Sequence, residues 1–176
     1  MNLTIIDDAI SKGYQNLVEN DFCSSYSSWY YNEHITDKNP QSNDTNSGFS
    51  HIIFAETKKS EYYALVYPIL LESLDKYQKG VLVNKLFRIR ASMFLKNQTS
   101  GLYNLPHTDL PFKHYTMLYY IMDSDGPTRI FSNGKIVEEI EPKKGRVVFF
   151  SGDTYHASAS PRHHARRMVI NYNFLL

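Results

Sequence analysis

FRIRASMFL (87–95), HYTMLYYIM (114–122), TRIFS (128–132), KIVEEIEP (135–142), GRVVFFS (145–151) and RRMVINYNF (166–174) follow one another through the second half of the chain. Each is short, and each is bounded by Gly, Pro, Asn or Asp. Several carry β-branched or aromatic residues at alternate positions, the pattern of strands buried on one face. The intervening segments MDSDGPT, SNG, KKG and SGD have turn composition. Six short strands point to a sandwich or jelly roll. The half before Leu86 reads differently. Ile5, Ile6, Ile10, Tyr14 and Leu17 recur at three- and four-residue spacings and predict an amphipathic helix over 3–18. A second helix is predicted from Glu61 to Tyr77, with Leu70, Leu71, Leu74 and Tyr77 facing the core and Pro68 tolerated near a first turn or at a kink. Between them, KNPQSNDTNSGF (38–49) reads as a loop.

The expected architecture is therefore α+β, mainly β. One domain spans 1–176, with a helical support region at 1–85 and the β core at 86–176. At 176 residues the chain suits one domain with a real core. A formal charge of +1 gives no global pull toward nucleic acid or membrane, and no apolar run approaches the ~20 residues of a spanning helix. Cys23 is the only cysteine, which excludes an internal disulfide and a thiolate metal cluster. The opening MNLTIIDDAISKGYQ places acids where a secretory signal needs its apolar stretch, so a cytoplasmic setting is expected.

Chemistry concentrates in Pro106-His107-Thr108-Asp109. In a strand, side chains at i and i+2 share a face, so an imidazole and a carboxylate project together, a pair suited to a first-row metal. Two ligands hold a metal weakly, and His156, just after GRVVFF, is the candidate third. Two histidines and one carboxylate on one face leave coordination positions open. Taken alone, an HTD is common by chance and a lone histidine is more often a satisfied core or surface residue. Order and context give the set its weight. Arg166 and Arg167 open the last strand, and an arginine turned inward from an apolar strand calls for an anion; its planar fork suits a carboxylate.

HTD, then a histidine, then RMVIN near the C-terminus resembles the double-stranded β-helix family of iron(II)/2-oxoglutarate oxygenases, with the prolyl 4-hydroxylase-like group nearest in flavour. The resemblance covers about 86–176, with weaker echoes in WYYN (29–32) and FSHIIF (49–54). It implies a dioxygenase that hydroxylates an unactivated C–H of a peptidyl, amino-acid or other small-molecule substrate, a prolyl side chain being one candidate. 2-Oxoglutarate would be decarboxylated to succinate and CO2, with iron(II) and O2 required and ascorbate as accessory reductant. By position, His107, Asp109 and His156 match the metal triad, and Arg167 matches the arginine that binds the distal carboxylate of 2-oxoglutarate. Arg166 is the alternative if the register slips by one. Tyr120 matches a tyrosine that donates to the same carboxylate, and Thr116 and Asn171 are expected to line the pocket. The sequence departs from the prolyl-hydroxylase pattern in FLKNQTSGLYNLP (94–106), where Tyr103 or Arg90 would have to replace a second cosubstrate tyrosine. Three rivals remain at this level. One is a nucleic-acid oxidative demethylase of the same superfamily, raised by the basic cluster Arg162, His163, His164 and Arg166. The second is a non-enzymatic cupin-like module that binds metal or ligand. The third is a hydrolytic or isomerising metalloenzyme in which the triad holds zinc or manganese.

Overall fold

A computed structural model describes residues 3–35, 47–97 and 103–176. The elements run β1 (Thr4–Ile6), α1 (Lys12–Cys23), β2 (Tyr30–Asn32), β3 (Gly48–Ala55), β4 (Lys58–Lys59), α2 (Tyr63–Tyr77) and β5 (Lys85–Leu95). They continue with β6 (Tyr115–Tyr120), β7 (Thr128–Ser132), β8 (Lys135–Ile140), β9 (Val147–Ser151), β10 (His156–Ser158) and β11 (Arg166–Leu175). Every pairing is antiparallel. The larger sheet has the order β1-β9-β6-β11-β5-β3-β2, with β4 on β3; the smaller is β10-β7-β8. This is the double-stranded β-helix that the resemblance implies and a jelly roll as the strand pattern predicts, two sheets enclosing a cavity with helices on the outer face of the larger one.

Period-two alternation divides the larger sheet's side chains between two environments. On β11, Met168, Ile170, Tyr172 and Phe174 join the core shared with α1 and α2. Arg167, Val169 and Asn171 turn the other way and line the cavity between the sheets. On β6, Met117 and Tyr119 pack toward the helices while Leu118 and Tyr120 pack between the sheets. β5 repeats this, with Ile89 and Ala91 on the helical side and Arg88, Arg90, Ser92 and Phe94 on the cavity side.

The first half departs from the expected helical support region. It contributes four strands to the larger sheet, and β3 is hydrogen-bonded directly to β5. A continuous apolar stretch such as Ile52-Ile53-Phe54 has no period that separates strand from helix. The predicted helix over 3–18 is instead a strand and a later helix. Thr4–Ile6 pairs with β9, Asp8 takes a left-handed φ of 52°, and Ser11 caps α1 by accepting from the Tyr14 N–H at 3.3 Å. The apparent spacing spans two elements, so Leu17 is 56% exposed while Val18 and Phe22 are buried. In α2, Leu70 and Leu74 face the core as expected and Tyr77 stacks on Phe149 at 4.7 Å, but Leu71 is 45% exposed. Pro68 lies inside the helix, beyond its first turn. The predicted loop at 38–49 lies mostly outside the described residues, and its last two positions, Gly48 and Phe49, begin β3.

The two faces of β11 separate stability from chemistry. Ile170→Ala should destabilise the fold by about 2–5 kcal/mol, read as a lower urea midpoint. Metal affinity of the folded protein should stay unchanged, because Ile170 faces the helices.

Candidate active site

His107 and His156 form an isolated antiparallel bridge. The N–H of each donates to the other's carbonyl at 3.0 Å. Residues directly opposite one another project to the same face, and the two rings lie 4.8 Å apart. The segment around His107 is thus a bridge and a bend rather than the strand expected from HTD, yet Asp109 still returns to the same side. One ligand atom from each of His107, Asp109 and His156 can be chosen so that all lie within 4.8 Å of one another. His107 Nδ1 lies 3.0 Å from the Leu105 carbonyl, and His156 Nδ1 lies 3.1 Å from the Thr154 carbonyl. A carbonyl only accepts, so both Nδ1 atoms carry the proton and both Nε2 lone pairs are free for a metal.

Asp109 is held by side chains from three strands. The Arg88 Nη2 donates to Oδ1 at 2.8 Å and the Thr116 hydroxyl donates to Oδ2 at 3.1 Å. Asn171 Nδ2 reaches both oxygens, at 2.9 and 3.1 Å, and Asn173 Nδ2 reaches Oδ2 at 3.0 Å. Burial alone would raise this carboxyl's pKa. The attraction of His156 and Arg88 and the bonds from Asn171 and Asn173 outweigh it and hold the group well below the usual carboxylate range. Burial keeps the His156 imidazole below its ordinary value, so near neutral pH it is uncharged and Arg88 is the standing counter-charge. Two imidazoles with Nε2 turned to the site and one ionised carboxylate form a donor set that fits iron(II).

At the other end of the cavity lies Arg167, 1% exposed. Its Nη2 donates to the Thr128 hydroxyl at 2.7 Å, while Nε and Nη1 are buried without a partner. The Phe94 and Tyr120 rings flank the guanidinium, their centroids 5.0 and 5.6 Å away. Tyr120 donates its hydroxyl to the same Thr128 oxygen at 2.6 Å. Burial works against the charge of Arg167, so an anion is what its two free donors require. A cavity of about 70 Å³ joins this end to the triad, room for more than one water.

Of the predicted site residues, His107, Asp109, His156, Arg167 and Asn171 line one cavity. Tyr120 abuts it through Thr128 and Arg167, and Thr116 sits against Asp109 rather than at the arginine. Arg166 takes the opposite face of β11 and interacts with Cys23. Of the two candidates for the missing tyrosine, Arg90 lines the cavity, whereas Tyr103 lies against Phe131 and Arg129. Sequence reasoning missed Arg88, Asn173 and Thr128. Asn173 continues the Arg167, Val169, Asn171 alternation, and Thr128 opens the strand TRIFS; those positions were the available signals. In the basic cluster, the backbone N–H groups of Arg162, His163 and His164 donate to the Asp125 carboxylate at 2.8–3.0 Å, which marks it as a braced turn.

Asn173 also accepts from Arg88 Nε at 2.9 Å, so it braces both Asp109 and its counter-charge. Asn173→Ala should weaken iron(II) binding by about 10- to 100-fold while the fold persists, as read by metal titration.

The family model of the 2OG-Fe(II) oxygenase superfamily matches residues 93–175, which contain all three triad residues. A search of curated proteins returns no match. Among solved structures, the chain is similar to a 2OG-Fe(II) oxygenase family oxidoreductase from Burkholderia pseudomallei. The TM-score is 0.72 at 12% identity, covering 98% of this chain and 84% of that one. It is also similar to a Trichoplax adhaerens prolyl hydroxylase in complex with a hypoxia inducible factor peptide fragment, with TM-score 0.70, 17% identity, and 98% and 83% covered. A third is the epimerase SnoN in complex with Fe3+, alpha ketoglutarate and nogalamycin RO, with TM-score 0.64, 11% identity, and 98% and 78% covered. At these identities the structures speak for the fold, and the sequence family covers the segment that carries the triad. Over residues 93–175 the chain matches the 2OG-Fe(II) oxygenase superfamily, whose enzymes work with iron(II), 2-oxoglutarate and dioxygen.

Proposed function

We propose that the protein hydroxylates an unactivated C–H of a peptidyl or amino-acid substrate, with His107, Asp109 and His156 as iron ligands and Arg167 as the anchor of 2-oxoglutarate. The observation that carries this reading is the buried guanidinium with two unmatched donors, facing a cavity shared with the triad. A metal-binding module of cupin type has no need of that buried cation. Prolyl hydroxylases among the similar structures, one of them bound to a peptide, favour an amino-acid side chain as the target.

When bound, iron(II), 2-oxoglutarate and dioxygen supply the oxidising power, and 2-oxoglutarate leaves as succinate and CO2. The chain's own residues do the rest. His107 and His156 offer their Nε2 nitrogens, with the rings oriented by the Leu105 and Thr154 carbonyls. Asp109 stays deprotonated under its four donor residues. Thr128 fixes Arg167 through Nη2, so Nε and Nη1 are left to grip the distal carboxylate. Phe94 and Tyr120 keep water from the guanidinium, which strengthens that grip. The single domain over 1–176 is part of this reading, because helices from the first half back the strands that hold the site.

Turnover is tested by incubating the protein with iron(II), 2-oxoglutarate and air against panels of peptides and free amino acids. Succinate release is followed together with a mass gain of one oxygen in the substrate. Arg167→Ala should raise the KM for 2-oxoglutarate by about 10- to 100-fold, with iron affinity retained. Equal KM values would remove Arg167 from the cosubstrate site. His107→Ala should abolish iron binding and succinate release.

A further inference from the structure

Among the described residues, three arginines, Arg88, Arg90 and Arg167, line the cavity beside a single carboxylate, Asp109. Two of the three have a place in the reading above. Arg88 is paired with Asp109 at 2.8 Å, and Arg167 faces the distal carboxylate of the cosubstrate. Arg90 has none. Its Nε is buried without a hydrogen-bond partner, and burial and the neighbouring Arg88 work against its charge more than the attraction of Asp109 favours it. Adding iron(II) and the doubly charged cosubstrate does not change the net charge of the cavity. A surplus of two positive charges therefore remains among the described lining residues, and one of the two is carried by Arg90. A cation left in this state lowers stability unless a ligand meets it.

Strand register says which ligand. Arg90 stands opposite Asn171 on β11, the residue that bonds both oxygens of Asp109, whereas Arg167 stands opposite Phe94. Four residues separate the two rows, about 13 Å along the strand. Arg90 therefore flanks the metal end, away from the anchor of the distal carboxylate. Its neighbour on the other side is Ile52 of β3, which offers no counter-charge.

We propose that Arg90 is a second anion-recognition site, which takes a carboxylate or phosphate carried by the substrate itself and positions that substrate beside the metal. The inference rests on the oxygenase reading and narrows it. The substrate is an anionic small molecule or a residue with a free anionic group, in preference to a neutral internal residue of a peptide. A guanidinium in a water-poor cavity binds such a group through charge-assisted, paired hydrogen bonds.

The test uses the full chain, labelled with nitrogen-15 and loaded with zinc(II) as a redox-silent metal. Guanidinium Nε–H signals are assigned with Arg90→Gln and Arg167→Ala. 2-Oxoglutarate is expected to move the Arg167 signal and leave that of Arg90 in place. Acetate or inorganic phosphate added next should move the Arg90 signal saturably, and the better of the two names the anion class. In Arg90→Gln, saturation followed at the Asn171 side-chain amide should need at least about tenfold more anion, with Arg90→Lys recovering part of the loss. The proposal is overturned if 2-oxoglutarate alone shifts Arg90 and blocks the added anion, since Arg90 would then serve the cosubstrate. It is equally overturned if neither anion shifts Arg90 with or without 2-oxoglutarate. Failure of 2-oxoglutarate to move Arg167 would instead count against the oxygenase reading, and the anion titration of the zinc-only protein would still decide the role of Arg90.

Discussion

A carboxylate with a side chain only 4% exposed must find donors for its lone pairs or give up its charge, and Asp109 finds them on three adjacent strands. Arg88 comes from β5, Thr116 from β6, and Asn171 and Asn173 from β11. Each sits on the cavity face of its strand, so a one-residue slip of any of the three would turn its donor toward the helices. His156 belongs to β10 of the other sheet and brings its Nε2 to 3.7 Å from Asp109 Oδ2. The arrangement that ionises the carboxylate therefore also fixes the register of the larger sheet and its approach to the smaller one. The site and the fold are the same set of contacts.

The cavity's electrostatics follow from this. A donor set dense enough to keep Asp109 charged brings one guanidinium, and the cavity holds two more, each with a buried Nε that has no hydrogen-bond partner. Arg167 lies between the Phe94 and Tyr120 rings, and its Nη2 donates to Thr128 while Nε and Nη1 have no partner. Arg90 likewise has none at Nε. Buried cations left short of partners cost stability in the free protein and gain affinity when anions arrive. The unmet donors are the clearest sign that the cavity is built for charged ligands.

Much of this was legible in the sequence, for identifiable physical reasons. Antiparallel strands with one face on a core write a two-residue period, which is why β5 to β9 and β11 stand near their predicted positions. The candidate metal ligands were legible because HTD and a later histidine stand in an order that resembles a known family. What remained hidden depends on pairing between distant segments. β1 and β3 carry too few residues, or too uniform a composition, to show a period, and β10 is only three residues long. Whether Arg166 or Arg167 turns inward is decided by the register of β11 against β5 and β6, which no local pattern records. Arg88 and Thr128 matter through contacts that bridge 21 and 39 positions of chain, to Asp109 and Arg167.

The central claim is that His107, Asp109 and His156 hold one iron in a cavity that also accepts 2-oxoglutarate. The most direct measurement is the visible absorption spectrum of the protein under anaerobic conditions, first with iron(II) alone and then with 2-oxoglutarate added. The account predicts a weak charge-transfer band that grows with 2-oxoglutarate and saturates at one equivalent per chain. A spectrum unchanged at saturating iron(II) and 2-oxoglutarate would contradict it.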